Sequence, residues 1–160
     1  MNGVRKKVRT NKYYKLLLVN FVLPISIGTL IYLLFRPLHL TVFHWANAIG
    51  LYSAVIKARA LFDIGYLMPE WLVYSLPNGL WAYSFMFFMS FIWGDVKSMN
   101  KTFFIVLVVV LTVGSELGQL LGLVPGTFCL ADMFFYTFGL FTGYLFSKLY
   151  FKGDVLNEKV

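Results

Sequence analysis

Glu116 is the residue whose chemistry fits its neighbourhood least. It stands in residues 102–124, an apolar segment whose first half is almost purely aliphatic, together with Thr112, Ser115 and Gln119. At about 100° per residue these four fall within roughly a 100° arc, so on a helix they form one polar stripe. Glu116 lies about three residues, or about 4.5 Å, past the middle of that segment. An ionised carboxylate there costs at least roughly 2.5–3.5 kcal/mol in lipid, so it must be paired, hydrated or protonated. No Lys or Arg is available at that depth, and Gln119 is the hydrogen-bond partner the spacing offers. Asp132 follows at the head of the next apolar segment, about 8 Å nearer the boundary by helix rise. With Gln119, Thr127 and Asn78, the two acids would line one outward-opening polar pocket.

The same residues have plainer uses. Glu116 and Gln119 can tie helices together, and Asp132 can cap the free N–H groups of a helix that begins beside it. Tyr136 reads as packing. Other chemistry is thin: His39 and His44 are five apart and off a common helical face, with no Cys near, so no metal site and no cofactor is expected. No His-Glu-x-x-His, P-loop or Gly-x-Ser-x-Gly phrase occurs. Cys129 is the lone cysteine, which excludes an internal disulfide and reads as an ordinary loop thiol.

The elements that would carry these side chains follow from composition. Of the 160 residues, 59% are hydrophobic, 19% aromatic and 13% charged. A soluble domain is nearer one quarter charged, so a bilayer is the expected solvent and nucleic-acid modules are excluded. Four apolar segments are long enough to span, at about residues 16–35, 78–94, 102–124 and 130–151. The first is too long for a signal peptide core, has no small-residue cleavage site after it, and reads as an uncleaved span. Residues 40–62 are apolar but carry His44, Asn47, Lys57 and Arg59, and read as an interfacial or re-entrant helix, with Lys57 and Arg59 snorkelling. The expectation is an all-α, polytopic membrane protein in a single domain, residues 1–160.

Charge sets the orientation. With four spans and both termini cytoplasmic, one side holds Arg5, Lys6, Lys7, Arg9, Lys12, Lys15, Lys97, Lys101, Lys148, Lys152 and Lys159, and the other only Arg36, Lys57 and Arg59. That is a clear positive-inside bias, and a fifth span would largely remove it. Gly114, Gly118 and Gly122, spaced by four, would make a smooth packing ridge on the third span. Asp132, Tyr136, Gly139 and Gly143 share one face of the fourth, and an antiparallel hairpin would bring Gly114 level with Gly139.

Residues 116–143 resemble the VanZ-like family of small bacterial membrane proteins. The family's phrase is Glu-x-x-Gln, a short Gly-containing loop, then Asp-x-x-x-Asn-x-x-Gly-x-x-x-Gly. This chain has Glu116 and Gln119, then Gly126, then Asp132, Gly139 and Gly143 in register. Tyr136 stands where the family usually has Asn, and Cys129 where Asp is common. The family's Asp-Lys-x-x-His phrase would fall on residues 78–82 and is absent. The resemblance implies a bacterial plasma membrane protein of the cell envelope, in a family associated with low-level resistance to the lipoglycopeptide teicoplanin. The departures would weaken any shared catalysis first.

The leading expectation is therefore binding of a lipid or lipid-linked amphiphile in the outward-facing pocket, with membrane lipids as partners. One alternative is an enzyme acting on lipid headgroups, with Glu116 as general acid and Asp132 as base. The other is a proton-coupled transporter subunit working as a homo-oligomer across the glycine ridges. Nothing acidic continues inward below Glu116 to form a relay.

Overall fold

The computed structural model describes residues 11–62, 68–94 and 96–157. The basic residues Arg5, Lys6, Lys7, Arg9 and Lys159, together with Asp63, Gly65 and Asp95, lie outside that set. The described residues form helices and no strand. Helix α1 covers Asn11–Phe35, with a π-turn at Leu18–Val22. Three short helices follow: α2 at Thr41–Ala48, α3 at Tyr52–Leu61 and α4 at Glu70–Tyr74. Helix α5 is Leu76–Trp93, α6 is Met99–Leu120 and α7 is Leu130–Asn157.

Two of these, α1 and α6, are long and apolar enough to cross a membrane. Helix α5 has the length of a span, 18 residues or about 27 Å. Its Pro, Asn, Gly and Ser residues dilute its apolar character because it is the buried centre of the bundle: Asn78, Gly79, Ala82, Ser84, Met86, Phe87, Ser90 and Phe91 are all buried.

α5 and α7 make the most extensive helix–helix interface. The register is fixed by glycine. A Cβ on Gly139 would strike the Gly79 carbonyl, and one on Gly143 would sit 2.5 Å from the Tyr83 carbonyl oxygen. A Cβ on Gly79 would in turn sit 2.9 Å from the Phe135 carbonyl oxygen. Pairings 79 with 135–139, 83 with 139–143 and 87 with 143 make the two helices parallel. Close backbone approach of this kind is the packing mode of small-residue faces. α1 runs antiparallel to α5, with Tyr13 against Phe91, Phe21 stacked on Phe88 at 4.5 Å and Tyr32 against Trp81 at 5.4 Å. At mid-bundle Tyr83 Oη donates to Asn20 Oδ1 at 2.6 Å, within the π-turn. The C-terminus of α1 and the N-termini of α5 and α7 thus meet at one end.

The outside of the bundle is aliphatic and aromatic, with Leu30, Phe103, Val110, Leu111, Phe138 and Phe141 exposed. The inside combines an apolar core around Ala82, Met86, Val108 and Leu140 with the buried polar residues Ser75, Ser84, Ser90, Ser147, Asn78 and Glu116. An exterior this apolar is unusual for a water-soluble bundle.

The expected single helix at 40–62 is two helices. Gly50, at φ +76°, closes α2: Leu51 N–H donates to the Ala46 carbonyl and Gly50 N–H to the Asn47 carbonyl, a paired cap that needs a left-handed residue at its turn. The resulting helices of 8 and 10 residues rise only about 12 and 15 Å, too short to span. Arg59 does not snorkel. Its Nη1 donates to the Leu33 and Arg36 carbonyls at 2.9 and 2.8 Å, satisfying the end of α1, and its guanidinium lies over the buried Phe43 ring. Arg59→Ala is expected to lower stability by about 2 kcal/mol, the range for hydrogen bonds from a charged donor, and Arg59→Lys by less. Urea unfolding in detergent, followed by Trp fluorescence, reads both.

Candidate functional site

Helix α6 ends by the same device as α2. Gly122, at φ +70°, occupies the left-handed position; Leu123 N–H donates to the Gly118 carbonyl at 2.8 Å and Gly122 N–H to the Gln119 carbonyl at 3.1 Å. The helix therefore stops at Leu120, not at residue 124. The chain then folds back along its last turn. Val124 covers Gly118, where a Cβ would fall 2.7 Å from Val124 Cγ2, and Gln119 lies against Gly126, which has φ +135°. This return brings Cys129 level with Glu116.

The glycine expectation is corrected accordingly. Gly139 and Gly143 are packing glycines, but their partner is α5. Among the described residues, the only side-chain atom near a Cβ on Gly114 is Val110 Cγ1 of its own helix, at 3.6 Å, and Gly122 has nothing within 4 Å. Gly118 faces the returning loop. The ridge spaced by four on α6 is one open position, one loop seat and one cap. Gly122→Ala should cost about 1 kcal/mol from backbone strain alone, read as a lowered urea midpoint at unchanged m-value.

Glu116 is only 3% exposed. Its Oε2 accepts the Cys129 N–H at 3.3 Å. Cys129 immediately precedes α7, and its carbonyl accepts from Met133 N–H at 3.1 Å. Glu116 therefore presents its carboxylate to the N-terminus of a neighbouring helix, where free N–H groups and the helix dipole favour negative charge. Asp132 sits in the first turn of α7. Its Oδ1 is buried and has no hydrogen-bond partner among the described residues. Glu116 and Asp132 lie within electrostatic reach of one another.

Two further groups join them. Tyr136, one turn below Asp132, is in the field of Glu116, Asp132 and Arg36. Arg36 follows α1, donates from Nη2 to the Tyr74 carbonyl at 2.9 Å and lies between the Tyr32 and Tyr74 rings, 5.2 and 4.5 Å from their centroids. Its Nε is buried with no hydrogen-bond partner among the described residues, as is Trp81 Nε1. Sequence reasoning placed Arg36 at a membrane boundary and Tyr136 in packing. Only the antiparallel seating of α1 on α5 brings the cation within electrostatic reach of Tyr136.

Of the other expected lining residues, Asn78 is 8% exposed in the first turn of α5, at the same end of the bundle. Thr127 is exposed on the connecting loop. The Gln119 side chain lies against Gly126. No protein-family model matches the chain, and neither a curated protein nor a solved structure matches it.

Tyr136 also lines an apolar cavity of about 360 Å³ between α5 and α6, with Trp81, Phe85, Met89, Leu107 and Leu111. One side chain thus joins the polar cluster to a hydrocarbon-lined slot. Among the described residues no group of three His, Cys, Asp or Glu is arranged to hold a metal ion.

Proposed function

We propose that this is a four-span membrane protein of the bacterial cell envelope, VanZ-like over residues 116–143, that binds a lipid or lipid-linked amphiphile at the Glu116–Asp132 cluster. The observation that carries the reading is the buried, partnerless Asp132 Oδ1 beside the buried Glu116. A buried carboxylate oxygen left without a donor is costly, and a ligand hydroxyl or amine would supply one. Arg36 Nε, buried and unpartnered at the same end, would meet a phosphate. The cavity below Tyr136 suits the first carbons of an apolar tail. Sugar phosphates on a lipid carrier have this mixture of groups.

In this reading α1, α5, α6 and α7 are the spans, α2–α4 lie at the outer interface, and both termini are cytoplasmic. Single cysteines at Val124 and Lys97, introduced in a Cys129→Ser background, test the orientation with a membrane-impermeant maleimide on intact cells. Labelling at 124 and none at 97 is expected; the reverse contradicts the arrangement. The ligand reading is tested on lipid extracted from purified protein. The wild type is expected to carry a stoichiometric amphiphile that Asp132→Asn loses by about tenfold, the effect of one charge-assisted hydrogen bond. Equal retention by a folded Asp132→Asn protein would exclude the site.

The mutual reach of Glu116 and Asp132 favours acid–base chemistry on a lipid headgroup as a second reading. There the two carboxyls would take different protonation states. Turnover of the retained amphiphile that both Glu116→Gln and Asp132→Asn abolish would distinguish it from binding alone.

A further inference from the structure

The opposite end of the bundle carries a site of opposite sign. Helix α6 makes smaller interfaces with α5 and α7 than those two make with each other. Between its first turns and the later part of α7 lies a groove of about 1030 Å³. Met86, Ile105, Val106 and Tyr144 give it an apolar floor, and Lys97, Lys101 and Lys148 stand along it. Lys97 is exposed. Lys101 Nζ donates to the Gly94 carbonyl, and Lys148 Nζ lies 5.8 Å from the centre of the Tyr144 ring. Ile105 comes one turn after Lys101 and Tyr144 one turn before Lys148, so on both helices the apolar lining runs from the lysines towards the middle of the bundle. Asp95 lies in the stretch of sequence that carries Lys97 and Lys101.

We propose that this groove binds one anionic phospholipid, its phosphate among the three lysines and an acyl chain along Ile105, Val106 and Tyr144. A basic head region continuous with an apolar floor, between helices of a bundle, matches a phosphate joined to hydrocarbon. A free phosphate would have no use for the floor. A zwitterionic lipid would bring its own ammonium group to the lysines. The proposal rests on the membrane-spanning reading and is independent of the Glu116 cluster.

The test is native mass spectrometry of the full chain released from nanodiscs of equimolar phosphatidylglycerol and phosphatidylcholine. The wild type is expected to retain one phosphatidylglycerol in preference. Lys97→Gln with Lys148→Gln should lower that preference about 30-fold, about fivefold per lysine. Lys12→Gln with Lys15→Gln, the same charge change elsewhere on the basic side, should change it by less than about twofold. Ile105→Trp, which fills the groove and keeps every lysine, should also release the lipid. Glu116→Gln should leave it in place. The proposal is overturned if the wild type shows no preference or if the two lysine pairs act equally. Retention by Ile105→Trp, or loss of the lipid on Glu116→Gln, overturns it as well.

Discussion

Gly139→Ala is expected to destabilise the bundle by about 3 kcal/mol, at the upper end of the range for overpacking. The added Cβ would meet the Gly79 carbonyl oxygen, its carbonyl carbon at 3.1 Å and the Tyr83 nitrogen at 3.1 Å. All three are backbone atoms, so no rotamer change relieves the clash. The whole helix α7 has to back away from α5. Gly114→Ala is the matched comparison. Among the described residues its Cβ would touch only the Val110 Cγ1 side-chain atom, at 3.6 Å, and the gain in helix propensity should leave stability unchanged or raise it by about 0.5–1 kcal/mol. Urea unfolding of both variants in one detergent reads the difference. A Gly139→Ala protein within about 0.5 kcal/mol of wild type, the scatter of a surface substitution, would refute the parallel α5–α7 seam.

Glu116→Gln should separate folding from function. The glutamine carbonyl oxygen can still accept the Cys129 N–H, so the start of α7 stays satisfied and the cost in stability should stay below about 1 kcal/mol. The charge at the cluster is lost. Retention of the amphiphile is expected to fall by about 10- to 100-fold, the range for a hydrogen bond to an ionised group. Glu116→Ala removes the acceptor as well, leaves the Cys129 N–H unpaired and should cost a further 1–3 kcal/mol or so. A pure interhelical tie predicts the opposite pattern: stability falls in both variants and retention follows stability. If Glu116→Gln retains the ligand as wild type does, the carboxylate serves only to hold α6 to α7.

The all-helical architecture was legible because the apolar segments are long and α5 to α7 begin within a few residues of the expected positions. The parallel relation of α5 and α7 follows from their alternation with α6 and does not depend on the charge count. The break at Gly50 was not legible because residues 40–62 mix apolar residues with His44 and Asn47 before it and Lys57 and Arg59 after it, and a left-handed glycine leaves no mark on hydropathy. The same blindness made Gly114, Gly118 and Gly122 look like one ridge, since spacing by four does not reveal that Gly122 lies past the helix end. At the site, Glu116 and Asp132 stood out by their cost in an apolar segment. Arg36 and Tyr136 did not. The place of Tyr136 beside Glu116 depends on how α6 and α7 meet, and the reach of Arg36 to Tyr136 on the seating of α1, both long-range features that no local spacing encodes.

The claim at the centre of this account is that the Glu116–Asp132 cluster holds a ligand and is more than a helix tie. Native mass spectrometry of the wild-type protein released from nanodiscs made with the cell's own lipids, beside Glu116→Gln and Asp132→Asn, addresses it directly. The account predicts one amphiphile of defined mass on the wild type, beyond any phosphatidylglycerol, lost from both variants while their helical content is unchanged. A wild-type spectrum with no such adduct, or the same adduct on all three proteins, would contradict it.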